Sequence, residues 1–232
     1  MSLVLALAGA HAAALAAAGA WSGAGAVPPP LVAAALREQR IELRLSDDPA
    51  LASRVLPQLA PAVARDVGDD VLAHRELARL TPARPLQAFR VGRAASATNL
   101  LRFYREGEAR SGVPWRVLAA VNYVESDFGR LRSASVSGAQ GPMQFLPSTW
   151  RTYGRGGIHD PHAAILAAAR FLRAAGAPRD LRGALYRYNP SPAYVDAILR
   201  LAGRIRRQER VFLVFYARRL IVRTPSGYRQ LN

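Results

Sequence analysis

The residue in this sequence best suited to acid catalysis is Glu125. It lies in the segment WRVLAAVNYVESDFGR, residues 115–130, where apolar residues recur at the spacing of an amphipathic helix. Glu125 follows Val121 by four positions and precedes Phe128 by three, so its carboxyl shares their apolar side. Desolvation there, together with the negative end of the helix dipole, predicts a pKa above that of an ordinary glutamate. Such a carboxyl can protonate a leaving oxygen near neutral pH.

A second carboxylate, which ordinary glycosidases use, is not evident. Asp127 follows Glu125 by two residues and therefore points to another side of the helix. Asp160 stands before a proline that begins a helix, and Asp180 and Asp196 are predicted to lie on or at the start of helices. We expect these four aspartates to be helix caps or solvated side chains.

Composition and charge limit the partners of the chain. Among its 232 residues there is no Cys, and the four His residues offer no pair at i, i+4 spacing, so we predict no metal and no other cofactor. All 32 basic residues are Arg, against 16 acidic residues, and the net charge of +16 favours a polyanionic partner. The candidates are nucleic acid, anionic lipid and an acidic cell-wall polymer.

The first 26 residues favour export. Residues 3–20 are apolar apart from His11, and Ala24-Gly25-Ala26 fits the small-x-small pattern of a signal-peptidase site. We expect residues 1–26 to be a signal peptide or an uncleaved membrane anchor, which places the protein in the periplasm or cell envelope. Nucleic acid is then a poor partner, and no nucleic-acid reader motif is recognisable. A buried Ala-rich helix is the alternative.

The rest of the chain is predicted to be mainly helical. Residues 27–90 show helical segments broken by Pro and Gly, and the segment ends with a linker at 81–85; we interpret it as a packing or spacer extension. Residues 91–208 contain further helices separated by irregular segments, and Pro114 begins the helix that carries Glu125.

The C-terminal residues have a different composition. Residues 209–232 are rich in β-formers, and Pro225-Ser226-Gly227 is typical of a hairpin turn. From Arg200 to the end there are nine Arg and one acidic residue. We predict a basic β-hairpin whose arginines are either solvated or bound to anionic wall polymer or lipid.

Three motifs resemble the catalytic domain of lytic transglycosylases, over about residues 95–205. They are Glu125-Ser126, a Ser/Gly/Ala-rich loop that ends in GAQGPMQF, and Tyr188-Asn189 at a helix end. The stretch GPMQFLPSTW is the most specific and is similar to that of membrane-bound B-type and actinobacterial members. The resemblance implies a lysozyme-like helical fold, peptidoglycan glycan strands as the substrate, and a sugar pocket made by Ser135, Met143, Gln144, Phe145, Tyr188 and Asn189.

The resemblance also implies a reaction that needs one carboxylate. In this family a single Glu acts first as acid and then as base, while the 6-hydroxyl of the muramic sugar attacks its own anomeric carbon. The neutral side chains orient the sugar, and of Met143 and Phe145 one is expected in the core and one against sugar. For Ser135 and Ser137 an ordinary loop role is equally open. A lysozyme-type hydrolase and a non-catalytic wall-binding module remain as alternatives, and nothing indicates an oligomeric state.

Overall fold

The computed structural model describes residues 2–231, and within them the protein is mainly helical. A two-stranded antiparallel sheet, β1 Ile221–Thr224 and β2 Gly227–Gln230, lies near the C-terminus. The α-helices of this range are α1 Leu3–Gly19, α2 Pro29–Asp47, α3 Pro49–Val55, α4 Pro61–Leu80, α5 Ala97–Ser111, α6 Trp115–Ser126, α7 Pro147–Tyr153, α8 Pro161–Ala174, α9 Leu181–Tyr188, α10 Pro192–Arg207 and α11 Val211–Ala217. The fold class predicted from the sequence is confirmed.

Helix α1 packs on the rest of the molecule through one side. Its small residues let it lie against α2 and α11, and Leu7, Ala14 and Ala18 are buried. Helix α2 in turn packs on α4, and α4 packs on α10. Within residues 2–231, no helix combines the length and the apolar character needed to cross a membrane. The N-terminal helices are therefore packed directly on the helices that follow.

Local signals place the ends of the central helices. The Ser96 hydroxyl accepts a hydrogen bond from the backbone N–H of Asn99 (3.2 Å) at the start of α5, and Gly112, in the left-handed conformation, ends it. Helix α6 follows Pro114 and packs against α5, α8 and α10. Because α6 is surrounded by other helices, the backbone that carries the carboxyl near its end is held in place.

The C-terminal segment differs from the prediction of a hairpin over residues 209–232. Residues Val211–Ala217 form α11, and only Ile221–Gln230 forms the hairpin. Phe212 packs edge-on against Tyr104 and Trp115, and its neighbours in α11 are buried as well. A short run that is apolar on all sides suits a buried helix as well as a strand, and periodicity cannot separate the two.

A cluster of ionisable side chains, here called the buried ion cluster, joins the N-terminal helices to the C-terminal ones. Arg204 of α10 lies 3.1 Å from Glu38 of α2 and also contacts Asp70 of α4. Arg218, which follows α11, lies 2.8 Å from Asp70, and His11 of α1 contacts Glu38 at 2.8 Å. Charges removed from water in this way are stable only when they are paired, so the cluster requires all these helices together.

Candidate active site

Glu125 lies in the last turn of α6, and its carboxyl touches a buried tyrosine. The Tyr194 hydroxyl, from the first turn of α10, donates a hydrogen bond to Oε1 of Glu125 (2.6 Å). Burial raises the pKa of Glu125 to about 7, and the bond from Tyr194 acts in the opposite direction because it favours the carboxylate. The shift has the direction expected from the sequence. Glu125 can thus exchange a proton near neutral pH.

The backbone turns sharply after Glu125. Asp127, Phe128 and Gly129 all have positive φ angles, 50°, 60° and 85°, which end α6 in a tight turn. Within this turn the Ser126 hydroxyl accepts a hydrogen bond from the N–H of Gly129 (2.8 Å). The turn therefore places Glu125 close to the end of α6 rather than in its middle.

The second residue of the Glu-Ser pair attaches the Gly141–Phe145 loop to α6. The Ser126 hydroxyl donates to the carbonyl oxygen of Pro142 (2.5 Å), and the side-chain amide of Asn122 donates to the same oxygen (2.8 Å). Asn122 is itself held by a bond from the Tyr104 hydroxyl (2.6 Å). This buried network explains why a serine follows the acid.

Within that loop the glycine is required by space. Gly141 has a φ of 75°, and a Cβ at this position would collide with the carbonyl oxygen of Ile158. A side chain at Gly141 would therefore displace the loop that α6 holds in place.

Met143, Gln144 and Phe145, the last three residues of the GPMQF motif, have different surroundings. Met143 and Phe145 are both buried, so the expectation that one of them faces sugar does not hold for this structure. Phe145 packs edge-on against Trp150 and Tyr188 because aromatic rings fill the space between the loop and α9. Gln144 is partly exposed, with a φ of 48°, and its side-chain amide donates to the carbonyl of Gly141 (3.0 Å).

Tyr188 comes close to Glu125 while its hydroxyl is engaged elsewhere. The hydroxyl donates to the carbonyl oxygen of Met143 (2.6 Å). Burial, and after it the charge of Glu125, raises the pKa of Tyr188. Asn189 follows as the last cap of α9 and is partly exposed. Glu125, Tyr188 and the GPMQF loop are thus brought together, as the sequence motifs suggested.

Ser135 is used by its own turn. Its N–H donates to the carbonyl of Ala139 (2.9 Å), and its hydroxyl accepts from the N–H of Ala139 (3.0 Å). Ser137 is exposed in the same turn. Of the two roles open for Ser135, these contacts are those of a loop residue.

The aspartates fulfil the cap prediction with one exception. Asp160 accepts from the N–H of Ala163 (2.7 Å) and Asp180 from that of Gly183 (2.8 Å), while Asp196 pairs with an arginine at the surface. Asp127 occupies the cap position of α6, but its side chain is buried rather than solvated. Its nearest cation, Arg130, lies 3.3 Å away, and burial raises the pKa of Asp127 to about 6.

Sequence reasoning missed Tyr194 as a partner of the acid. Tyr194 follows Glu125 by 69 positions, and only the packing of α10 on α6 brings the two together. Its one signal in the sequence is its place soon after Tyr188-Asn189, in the first turn of a helix begun by Pro192.

Glu125 and Asp127 also line a cavity of about 240 Å³, here called the Glu125 cavity. It lies between α6, the end of α4 and the β1–β2 hairpin, and its walls are mainly apolar. The candidate acid thus borders an open space that can receive part of a substrate.

A lysozyme-like helical domain, with one protonatable glutamate at a helix end, is the class that this fold and site define. Residues 102–209 match the family model of the transglycosylase SLT domain, and this match supports a lysozyme-like domain of the lytic transglycosylase type over that range. The match supports a peptidoglycan-cleaving function of the lytic transglycosylase type, with peptidoglycan as the bound substrate. Neither the curated proteins nor the solved structures gave a match.

Proposed function

We propose that the protein cleaves the β-1,4 bond between N-acetylmuramic acid and N-acetylglucosamine and leaves a 1,6-anhydromuramic acid end. The observation that carries this proposal is the carboxyl of Glu125, partly buried and bonded to Tyr194, whose pKa is raised to about 7. It lies within the matched domain. A group half protonated near pH 7 can serve as an acid and, after losing its proton, as a base.

In the first step Glu125 gives its proton to the glycosidic oxygen, and the bond from this oxygen to the anomeric carbon of the muramic sugar breaks. In the second step the 6-hydroxyl oxygen of that sugar bonds to the anomeric carbon, and the carboxylate takes the hydroxyl proton. Glu125 is then protonated again, and no water is consumed. Tyr194 holds the carboxyl through both steps and stabilises its charged form between them.

The other motif residues position the loop and the sugar. Tyr188 and Ser126 act as positioning residues, since their hydroxyls bind the carbonyls of Met143 and Pro142. The partly exposed side chains of Gln144 and Asn189 are the groups we assign to the sugar's polar substituents.

The test is the product of digestion. Purified sacculi incubated with the protein should release muropeptides with 1,6-anhydromuramic ends, which are one water lighter than hydrolysis products and have no reducing end. Mass spectrometry separates the two. Glu125→Gln should release nothing while still sedimenting with sacculi, which also distinguishes an enzyme from a wall-binding module. Predominantly reducing-end products would contradict the proposal.

Asp127 supports a second candidate, a lysozyme-type hydrolase. It is a buried carboxylate that lines the same cavity as Glu125, and within the described residues neither of its oxygens has a hydrogen-bond partner. A hydrolase would use it to activate water. Reducing-end products that disappear in Asp127→Asn would establish this candidate, whereas the anhydro reaction should persist in that variant.

We also propose that the protein acts in the periplasm or cell envelope, where its substrate lies, and that α1 stays attached. The supporting observation is the contact of His11 with Glu38 in the buried ion cluster, which cleavage after residue 26 would remove. Mass spectrometry of the protein isolated from cell envelopes tests both points. A mature protein that begins at residue 27 would contradict the retention of α1.

Binding to anionic polymer through the tail is a further proposal, and it rests on fewer charges than the sequence suggests. Arg204 and Arg218 are buried, while Arg200 and Arg207 both contact Asp69. Besides Arg207, the exposed tail arginines are Arg206, Arg210, Arg219, Arg223 and Arg229.

The test replaces arginines, because deleting residues 211–232 would remove the buried helix α11. Changing Arg206, Arg210 and Arg229 to Gln should weaken sedimentation with sacculi at low salt, and the difference from wild type should vanish at high salt. Equal sedimentation of both proteins at low salt would make these arginines irrelevant to binding.

A further inference from the structure

The Glu125 cavity is built largely by parts of the chain outside the matched domain. One wall is the end of α4, with Leu77, Ala78 and Thr81; another is the β1–β2 hairpin. Phe89, from the segment between α4 and α5, lies on a third side. Residues 102–209 supply the floor, which includes Tyr123, Val124 and Glu125.

The hairpin wall is held in place by the N-terminal helices. The guanidinium of Arg223 in β1 donates to the carbonyl of Ala78 in α4 (3.2 Å), and the Arg223 carbonyl accepts from the N–H of Arg84 (3.2 Å). Tyr228 in β2 donates through its hydroxyl to Asp47 of α2 (3.0 Å). The wall is thus present before any ligand arrives.

The segment that carries Phe89 is fixed just as firmly. The N–H of Arg132 donates to the carbonyl of Arg90 (2.8 Å). The hydroxyl of Ser133 donates to the carbonyl of Ala88 (2.9 Å) and accepts from the N–H of Arg90 (2.7 Å). The linker expected from the sequence therefore continues into a cavity wall bonded to the chain that follows α6.

The lining is mostly apolar, with positive charge at its edge. The apolar and aromatic side chains include Leu43, Leu77, Phe89, Tyr123, Ile221 and Tyr228. Arg219 and Arg223, which also line the cavity, are exposed. The acids at the floor, Glu125 and Asp127, have pKa values raised to about 7 and about 6, which lessens their repulsion of an anion.

We infer that the Glu125 cavity binds the peptide stem of the muramic sugar next to the cleaved bond; this inference rests on the proposed function. The hydroxyls around the rim of a sugar ring need several polar partners, whereas the walls of this cavity are mainly apolar. A stem begins with an alanine methyl group and continues with a residue that bears a free carboxylate. The methyl suits the apolar walls, and the carboxylate suits Arg219 and Arg223.

The first experiment compares two substrates. One is intact sacculi; the other is glycan from the same sacculi whose stems have been removed by an amidase. The double variant Arg219→Gln, Arg223→Gln should lose about fivefold in kcat/KM on the stem-bearing substrate, as expected for two exposed ionic contacts. Its kcat/KM on stem-free glycan should equal that of wild type.

The double variant Arg37→Gln, Arg40→Gln is the matched control, since both arginines are exposed on α2 and neither lines the cavity. It should behave as wild type on both substrates. Equal losses of the double variant Arg219→Gln, Arg223→Gln on both substrates, or no loss on either, would overturn the inference.

A second experiment is independent of catalysis. Titrating the wild-type protein with the N-acetylated dipeptide N-acetyl-L-Ala-γ-D-Glu should give saturable NMR shifts at Leu77, Thr81 and Val222, which line the cavity. Its uncharged diamide, or the double variant Arg219→Gln, Arg223→Gln, should give weaker binding. Absence of shifts in wild type contradicts the stem subsite, whereas absence of anhydro products contradicts only the proposed function.

Discussion

At the scale of single residues, the pKa of Glu125 results from two influences that act in opposite directions. Burial at the end of α6 penalises the carboxylate, and the hydroxyl of Tyr194 stabilises it. The outcome is a pKa of about 7 rather than one far above neutrality. An acid that must also act as a base needs this compromise.

The pH dependence of activity should reflect that pKa. Because the acid form starts the reaction, activity on sacculi should fall as pH rises through about 7, with kcat/KM decreasing about tenfold per pH unit well above it. Rates of anhydro-muropeptide release between pH 5 and pH 9 provide the measurement. A rate unchanged over this range would show that Glu125 is not the titrating acid.

Replacing Tyr194 with Phe should move that profile. Loss of the donor removes a contact that favours the carboxylate, so the pKa of Glu125 should rise and the alkaline fall of activity should shift to higher pH. Tyr188→Phe is the control, since its hydroxyl binds the Met143 carbonyl instead. The two variants should differ in the pH of half-maximal kcat/KM; identical profiles would contradict the role given to Tyr194.

The stability of the folded protein should also depend on the protonation of Glu125. The pKa is higher in the folded protein than the ordinary value of 4.5, so the stability gained from the protonated form is present below 4.5 and lost as pH rises through about 7. Glu125→Gln should therefore exceed wild type in free energy of unfolding at pH 8, by about 1 kcal/mol for this partly exposed group. Urea denaturation at pH 4 and pH 8 measures the difference, which should shrink at the lower pH.

At the scale of elements, the site depends on how one loop is attached to one helix. Ser126 and Asn122 on α6 hold the carbonyl of Pro142, and Gly141 allows the loop to pass Ile158. The loop that carries Gln144 is thereby held against α6. Ser126 and Asn122 are close to each other in the sequence, whereas the loop that they hold is distant from both.

Two glycines of this region provide a matched pair of variants. Gly138 and Gly141 both have φ near 80°, yet a Cβ at Gly138 meets open space while one at Gly141 meets the Ile158 backbone. Gly138→Ala should cost about 1–2 kcal/mol of stability from backbone strain and keep its activity. Gly141→Ala should lose more stability and most activity. Similar behaviour of both variants in melting and product assays would contradict the steric argument.

At the scale of the whole molecule, the buried ion cluster joins helices from both ends of the chain. It is made of acids from α2 and α4 and arginines from α10 and the residue after α11. The hairpin that follows Arg218 forms a wall of the Glu125 cavity. The cluster therefore connects the position of that wall to the N-terminal helices.

Removing one cation of the cluster should be strongly destabilising. Arg204→Met removes one of the two buried arginines that pair with Glu38 and Asp70 and should lower the free energy of unfolding by about 3–5 kcal/mol. Arg206→Met, at an exposed position of the same helix, should leave stability nearly unchanged. Chemical denaturation of both variants decides; a small loss in Arg204→Met would show that the cluster contributes little.

The sequence by itself determined the features that depend on near neighbours. The apolar side of α6, the caps at Ser96 and Asp160 and the turn at Gly112 follow from contacts within a few residues. The raised pKa of Glu125 follows in direction from the same spacing. The three motifs also identified the loop and the helix end that meet beside the acid.

Only the tertiary structure decided the rest, because those features depend on residues far apart in the chain. Tyr194 reaches Glu125 through the packing of α10 on α6. Asp127 is buried by parts of the chain other than α6. Residues 211–217 form a helix most of whose side chains are buried, and α1 buries one side against α2 and α11. Burial is a property of the assembled molecule, and a periodic pattern reports only which side of an element is apolar.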